Sequence, residues 1–463
     1  MRKEDIIELS ITDINNLGCG VGRYEGLVVF IKGAVTGDVV RAKVIKVNKS
    51  FAVARLDELI ETSPYRIDKD ECNAPLACGG CVYRHISYEH ELQLKREYVE
   101  NAFRKAGLFD VRVLPTLSAG RPYGYRNKAQ YPLTQTKNGV RAGFYASKTH
   151  NIIPSDGCAI QNKAFTPIVD FVCRFADRNG WSVYNEESGR GLLRHIYLRI
   201  GEKTGQIMVC LVINGDTLPK GELFACELKE EFPSVASVMY NVNKKNTNVV
   251  LGKEFTLLFG RPYIEDELCG LRFKISPDSF YQVNRDGAEM LYSVAAERAE
   301  LSGDQVLMDL YCGTGTIGLS MAKKARKLCG IEIVSAAVDC ARENARENEI
   351  ENAEFFCDDA GNGDVILRAA GGSRPDVVVI DPPRKGSTKE LVRTLSELSV
   401  PRVVYVSCDA DTLARDCVWF REYGYEMGEV QPVDMFPRTG HVESVVSLTR
   451  GFDNELQPNG CVN

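Results

Sequence analysis

The spacing of apolar residues changes character along the chain. Up to about residue 60 they come in short β-rich runs, GLVVFIKG, DVVRAKVIKV and FAVARLDEL, parted by Gly, Asp and Asn. Short strands at close spacing predict a small barrel. The stretch SYEHELQLKREYVENAFRKAG then sets Leu92, Val99 and Phe103 at helical spacing, with Gly107 as a stop. Between about 120 and 265, strand-like runs (HIYLRI, QIMVCLVI, SVASVMYNV) alternate with helical ones such as AFTPIVDFVCRFADRNG, which predicts an α+β central domain. From about 275 onward VLMDLY, KLCGIEI, AEFFCD, DVVVID and RVVYVSC are short apolar strands with helical stretches between them. Repeated β-α units predict a parallel sheet covered by helices, the doubly wound, Rossmann-like α/β class. The expected domains are 1–62, 63–270 and 271–452, followed by a polar tail, 453–463.

A chain of 463 residues is too long for one compact core. The opening MRKEDIIELS carries acids where a secretory signal needs an apolar stretch, and no apolar run is long enough to span a bilayer. A cytoplasmic protein without a membrane partner is expected. Sixteen cysteines are many for such a chain. Cys173, Cys210, Cys226, Cys269, Cys329, Cys340 and Cys357 lie singly in apolar surroundings and read as small buried hydrophobes. A disulfide framework is not expected in a reducing compartment. The net charge of -6 weighs against a nucleic-acid partner. Locally the balance reverses. From Val111 to Ser155 there is no Asp or Glu, and Arg112, Arg121, Arg126, Lys128, Lys137, Arg141 and Lys148 are interleaved with Tyr123, Tyr125, Tyr131, Phe144 and Tyr145. Cations for phosphates and aromatic faces for bases suit single-stranded RNA. A solvated loop region is the alternative.

The candidate chemistry lies in the last third. Asp309-Leu-Tyr-Cys-Gly313-Thr-Gly315-Thr-Ile-Gly318 falls between a strand and a helix, and Glu332 ends the next strand. Glycines permit a tight turn and close approach to a nucleotide, and the acid can take a ribose. The motif alone serves NAD or S-adenosylmethionine. Asp309, ahead of the first glycine, suits a methionine ammonium group. Asp381 ends DVVVID, and the two prolines after it stop the ladder and hold the carboxylate at the ligand edge of the sheet. Cys408 directly follows RVVYVS at the same edge. A thiolate that adds to uracil C6 makes C5 carbanion-like, so that C5 can accept a methyl group. A base must then remove the C5 proton before the thiolate leaves. His441-Val442-Glu443 supplies candidates for that base. Cys408 also reads as a small buried strand-end residue, and Glu443 as a loop acid.

Cys72, Cys78 and Cys81 form C-x5-C-G-G-C, with Cys158 as a fourth ligand in SDGCAI. Such thiolates suit an iron–sulfur cluster, with a structural zinc ion as the alternative.

Taken in order, SPDSFYQVN, DLYCGTGTIGL, IDPPRKG, SCDADTLARD and HVES resemble the motifs of the RNA uridine-5-methyltransferases, over nearly the whole chain. The resemblance implies Cys408 as nucleophile and Glu443 as the C5 proton acceptor. It implies S-adenosylmethionine contacts from Gln282, Tyr311, Glu332 and Asp381, with Asp359 towards the adenine end. The four cysteines resemble the 4Fe-4S site of the ribosomal-RNA members, and the N-terminal barrel resembles their TRAM RNA-binding domain. Together these imply 23S ribosomal RNA, in a single-stranded or loop region, with no obligate protein partner. The resemblance also suggests that a helix near 86–118 packs on the catalytic domain. A transfer-RNA enzyme, a non-catalytic RNA-binding factor and a nucleotide-dependent oxidoreductase remain the alternatives.

Overall fold

A computed structural model describes residues 1–75 and 77–451. The expected tail lies outside them. The chain folds into two compact units: Met1–Tyr98 with Leu117–Met290 and Asp434–His441, and Val99–Thr116 with Leu291–Val433 and the chain from Val442.

In the first unit β1 (Ile6–Ile14), β2 (Cys19–Tyr24), β3 (Leu27–Lys32), β4 (Val39–Val47) and β5 (Phe51–Glu61) close a barrel in the order β1-β2-β3-β5-β4. Alternate residues face inward, among them Ile7, Leu9 and Ile11 of β1 and Val40, Ala42 and Val44 of β4. Helix α1 (Tyr88–Lys105) follows, and Gly107 takes a left-handed φ of 81° just beyond it. Next come β6 (Lys128–Thr136), β7 (Gly139–Tyr145), β8 (Ile152–Pro154), α2 (Phe165–Asn179), β9 (Leu193–Ile200), β10 (Ile207–Ile213), α3 (Gly221–Glu231), β11 (Val235–Val242) and β12 (Glu254–Gly260). They build a sheet in the order β12-β11-β10-β9-β6-β7-β8. Phe171 and Phe175 of α2 and Phe224 of α3 share a core with Leu198, Val209 and Leu211 of the sheet. A hairpin, β13 (Ile264–Leu268) and β14 (Leu271–Ile275), completes this part.

Two expectations are corrected here. Tyr125 and Tyr131 offer no face to a base, being only 1% and 5% exposed. Tyr131 belongs to the sheet core, and the Tyr125 hydroxyl donates to the Pro437 carbonyl at 2.9 Å. Nor are all the single cysteines buried. Cys173, Cys210 and Cys329 are, but Cys226 and Cys357 are exposed, because the helix face of one and the strand end of the other turn outward.

The buried side of α1 is also not purely apolar. Glu91 and Lys95 are buried there, while Leu92 is only partly covered. Lys95 Nζ donates to Glu91 Oε1 at 2.8 Å, Asp434 Oδ1 at 2.7 Å and the Phe436 carbonyl at 3.2 Å. The Arg438 backbone N–H donates to Glu91 Oε1 at 2.7 Å, and Tyr88 donates to Asp434 Oδ2 at 2.7 Å. This network holds Asp434–His441 within the first unit.

Along α4 (Arg285–Ala299) the first unit gives way to the second. There β15 (Val306–Leu310), α5 (Thr316–Met321), β16 (Lys327–Glu332), α6 (Ser335–Glu347), β17 (Ala353–Cys357), α7 (Gly363–Ala369), β18 (Val377–Ile380), α8 (Lys389–Glu397), β19 (Arg402–Ser407) and α9 (Ala410–Glu422) alternate. They are followed by β20 (Tyr425–Met427), β21 (Gln431–Val433) and β22 (Glu443–Arg450). The sheet runs β17-β16-β15-β18-β19-β22-β20, with β21 paired to β22. Strands β15 to β19 are parallel, and β22 is antiparallel to β19. The direction of winding reverses between β15 and β18, the place where doubly wound sheets bind ligands. Among the described residues no helix is long and apolar enough to cross a membrane.

Replacing Lys95 by Met leaves Asp434 buried without its lysine and Glu91 with Arg438 at 3.4 Å alone. Removing one partner from such a network costs about 3–5 kcal/mol. Urea denaturation of Lys95→Met should show a loss of that size; a change within experimental error would contradict the role given to the network.

Candidate active site

The glycine-rich loop leaves β15 at Leu310. Tyr311 takes a left-handed φ of 63°, which lets the Tyr311 and Cys312 N–H groups both reach the Ile331 carbonyl, at 3.0 and 3.2 Å. Gly318 is required by contact: a Cβ there would sit 2.7 Å from Asp309 Oδ2, which accepts the Gly318 N–H at 2.9 Å. Asp309 is buried, and its Oδ1 has no hydrogen-bond partner. Burial, opposed by the Gly318 bond but reinforced by Asp381 and Glu332, pushes its carboxyl up to about 7. Glu332, at the end of β16, accepts the Gly313 N–H at 3.2 Å and the Val334 N–H at 2.9 Å. Asp359 is exposed beyond β17 and accepts the Gly361 N–H at 2.9 Å. Burial raises the Tyr311 phenol, a hydrogen bond to Ser387 lowers it, and the charge of Asp359 raises it. Tyr311, Asp359 and Ser387 are therefore neighbours.

The nucleophile candidate is set by register. β19 pairs with β22 so that Ser407 faces Ser444. The next step in an antiparallel ladder places Cys408 opposite Glu443. On the other side of β19, Ile380 pairs with Tyr405, which brings Asp381 to the same edge. Burial pushes the Cys408 thiol up to about 11, with Glu443 and Asp381 raising it and Arg384 lowering it. Glu443 is 6% exposed and is pushed up to about 8 by burial and by Asp381, again against Arg384. Asp381 is pushed up to about 7 by burial. Asp409 caps α9 by accepting the Thr412 N–H at 2.9 Å, so Cys408 precedes the positive end of that helix. His441 is exposed and belongs to the first unit. Gln282 also lies in the first unit, between β14 and α4, where its carbonyl accepts Asn127 Nδ2 at 2.9 Å.

Sequence reasoning singled out Asp-Pro-Pro but passed over Arg384, the residue immediately after it. A proline-fixed turn at the ligand edge carries its next residue to that edge too, and this signal was present.

The four cysteines of the first unit come together. Cys72, Cys78, Cys81 and Cys158 line one cavity of about 110 Å³ with Arg84 and Arg126. Burial, together with Cys158, Cys72 and Cys78, pushes the Cys81 thiol up to about 12; burial pushes Cys158 up to about 11. Arg84 secures the Cys72 loop by donating to the Ala74 carbonyl at 2.8 Å and by further bonds to the Cys72 carbonyl and Asp70. Among the described residues no three His, Cys, Asp or Glu side chains are grouped as a single metal ion would need.

A doubly wound sheet with a glycine-rich first loop and acids at the ends of β16 and β18 defines a class I methyltransferase fold. Residues 223–361 and 372–451 match the family model described as tRNA (Uracil-5-)-methyltransferase, and 4–56 match the TRAM domain. An RNA methyltransferase of Clostridium acetobutylicum, named as uncharacterized, is 42% identical over 97% of this chain and 98% of its own. One from Bacillus cereus is 41% identical over the same shares. The crystal structure of the Pyrococcus abyssi tRNA (uracil-54, C5)-methyltransferase in complex with S-adenosyl-L-homocysteine has a TM-score of 0.78 and 27% identity, covering 96% of this chain and 100% of that one. The chain belongs to the RNA (uracil-5-)-methyltransferase family and carries a TRAM domain.

Because the charge of Glu443 raises the Cys408 thiol, Glu443→Gln should lower it. Iodoacetamide labelling of Cys408, followed by peptide mass spectrometry at about pH 9, should then run faster than in the wild type. Equal or slower labelling would show that the two groups do not share a field.

Proposed function

We propose that this enzyme methylates C5 of a uridine in 23S ribosomal RNA, with Cys408 as nucleophile and Glu443 as the base. The observation that carries the chemistry is the register placing Cys408 opposite Glu443 beside Asp381. Cys408 gives up its thiol proton to water, its Sγ bonds to uracil C6, and electron density moves through C5 to the O4 carbonyl. C5 takes the methyl group, Glu443 accepts the C5 proton, and the C6–S bond breaks to restore the ring. A carboxylate lifted to about 8 by burial is a stronger base than an exposed one. Arg384 offsets the negative charge that collects around Cys408.

S-adenosylmethionine is the methyl donor in this reading; when bound it supplies an electrophilic methyl on a sulfonium. The residues fit such a ligand. Asp309 has a buried oxygen without a partner, and Asp309 and Asp381 are both lifted to about 7, so a cationic ligand relieves both. Within the second unit, Glu332 would hold the ribose and Tyr311 and Asp359 the adenine end.

Cys72, Cys78, Cys81 and Cys158 are proposed to hold a 4Fe-4S cluster. Four thiols around one cavity, two of them raised by burial, fit a group that ligates four thiolates and compensates their charge. Methyl transfer has no redox step, so the cluster would brace Cys72–Cys81 against Cys158. Four thiolates also suit zinc, and metal content separates the two. Anaerobically purified protein should be brown, with about four irons per chain; a colourless protein with stoichiometric zinc would sink the cluster.

For RNA, Lys128 is pushed down to about 8 by burial and by Arg199 and Arg126, a crowding of cations that a phosphate relieves. The ribosomal reading is supported by the barrel occurring together with the cysteine cavity. Transfer RNA is the second reading, favoured by the Pyrococcus abyssi likeness, which spans 96% of this chain. Mass spectrometric mapping of 5-methyluridine after deletion decides: loss in 23S RNA supports the first, loss only in transfer RNA the second.

Cys408→Ala should abolish methyl transfer while leaving RNA affinity within about twofold, since Cys408 adds no charge for phosphates. Glu443→Gln should accumulate a covalent protein–RNA adduct, visible as a shifted band in denaturing gels. Wild-type turnover by Cys408→Ala would remove the nucleophile assignment.

A further inference from the structure

A buried carboxylate outside the reacting groups controls the loop that carries Arg384. Asp416 of α9 is fully buried. Its Oδ2 accepts the Ser387 N–H at 2.7 Å and the Tyr405 hydroxyl at 2.6 Å. Its Oδ1 accepts Arg415 Nε at 2.8 Å and Nη2 at 2.7 Å. The same Arg415 Nη2 donates to the Lys385 carbonyl at 2.9 Å, and the Thr412 hydroxyl donates to the Arg384 carbonyl at 3.3 Å. Between these bonds the chain turns, the Gly386 N–H reaching the Pro383 carbonyl at 2.8 Å. Gly386 has a φ of 78°, and a Cβ there would meet Arg415 Nη2 at 2.5 Å and Asp416 Oδ2 at 2.6 Å. Every residue from Arg384 to Ser387 is thus bonded to, or packed on, three residues of α9: Thr412, Arg415 and Asp416.

That helix begins two residues after Cys408, and its first turn is fixed by the Asp409 cap on Thr412. The helix that follows the nucleophile therefore also holds Arg384. The groups whose charge reaches the Cys408 thiol are Glu443 and Asp381, which raise it, and Arg384, which lowers it.

We propose that Asp416 is a positioning residue for methyl transfer: it clamps Arg384–Ser387 to α9 and so keeps the Arg384 guanidinium directed at Cys408 and Glu443. This rests on Cys408 being the nucleophile. Asn in place of Asp416 keeps the size but turns one acceptor into a donor, which opposes the Ser387 N–H, the Tyr405 hydroxyl or Arg415. The freed loop no longer holds the exposed Arg384 beside Cys408, and the thiol loses its neighbouring cation.

The test is Asp416→Asn, assayed as full-length protein for kcat, RNA KM and the pH dependence of Cys408 alkylation. The expected result is a kcat lower by about tenfold or more, an RNA KM within about twofold, and a thiol raised by about one unit. Arg384→Gln should give the same thiol shift, and the double variant no further shift, because both act on one element. A loss of melting temperature with the Cys408 pH profile unmoved would overturn the inference, as would additive shifts in the double variant. Should Asp416→Asn fail to fold, Arg415→Met removes the bond to Lys385 from an exposed position; a thiol shift in the same direction supports the clamp, and an unchanged profile overturns it. Either failure leaves the Cys408 assignment standing, since that is decided by Cys408→Ala alone.

Discussion

Asp309, Asp381 and Glu443 lie out of water along one edge of a parallel sheet, lifted to about 7, 7 and 8. Like charges in a desolvated place cannot all ionise unless a cation joins them. Parallel β15 and β18 bring Asp309 and Asp381 there and antiparallel β22 brings Glu443, the two prolines after Asp381 keep that edge from pairing further, and Gly318 lets a backbone N–H approach Asp309. Arg384 and the positive end of α9 oppose the accumulation around Cys408. A cationic ligand relieves such an edge.

The same balance explains why the thiol is held so high. The positive end of α9 and Arg384 favour thiolate, while burial, Glu443 and Asp381 oppose it, and the opposition prevails. A thiol near 11 stays protonated in the free enzyme at neutral pH and so resists adventitious oxidation.

Much of this was legible in the sequence. Turn residues between β-rich runs marked the barrel, and repeated apolar strands marked the parallel sheet, because both are local patterns. Cys408 was legible as a strand-end residue. Its juxtaposition with Glu443 was not, since it depends on the β19–β22 register across an insertion that belongs to the other unit. Helical spacing led to Leu92, whereas the structure buries Glu91 and Lys95, which pair with each other and with Asp434 and Arg438, far along the chain. The tyrosines of the acid-free stretch read as base platforms because pattern alone does not say which face of a strand is covered. Asp416 stands at the end of SCDADTLARD, but its role was not legible there, because apart from the adjacent Arg415 its partners are a backbone N–H and a tyrosine brought in by the sheet.

The segment Asp434–His441 has one more consequence. It belongs to the first unit, yet it separates β21 from β22 of the second. On the ribosome the barrel can close early, because all its strands lie before Glu61. The charged network around Lys95 must wait for Asp434 and Arg438, and the sheet holding Cys408 must wait for β22. Both units thus stay incomplete until the chain has been made through β22. Until then buried-to-be carboxylates and apolar strand edges stay exposed on the nascent chain, a long window in which chaperone protection matters.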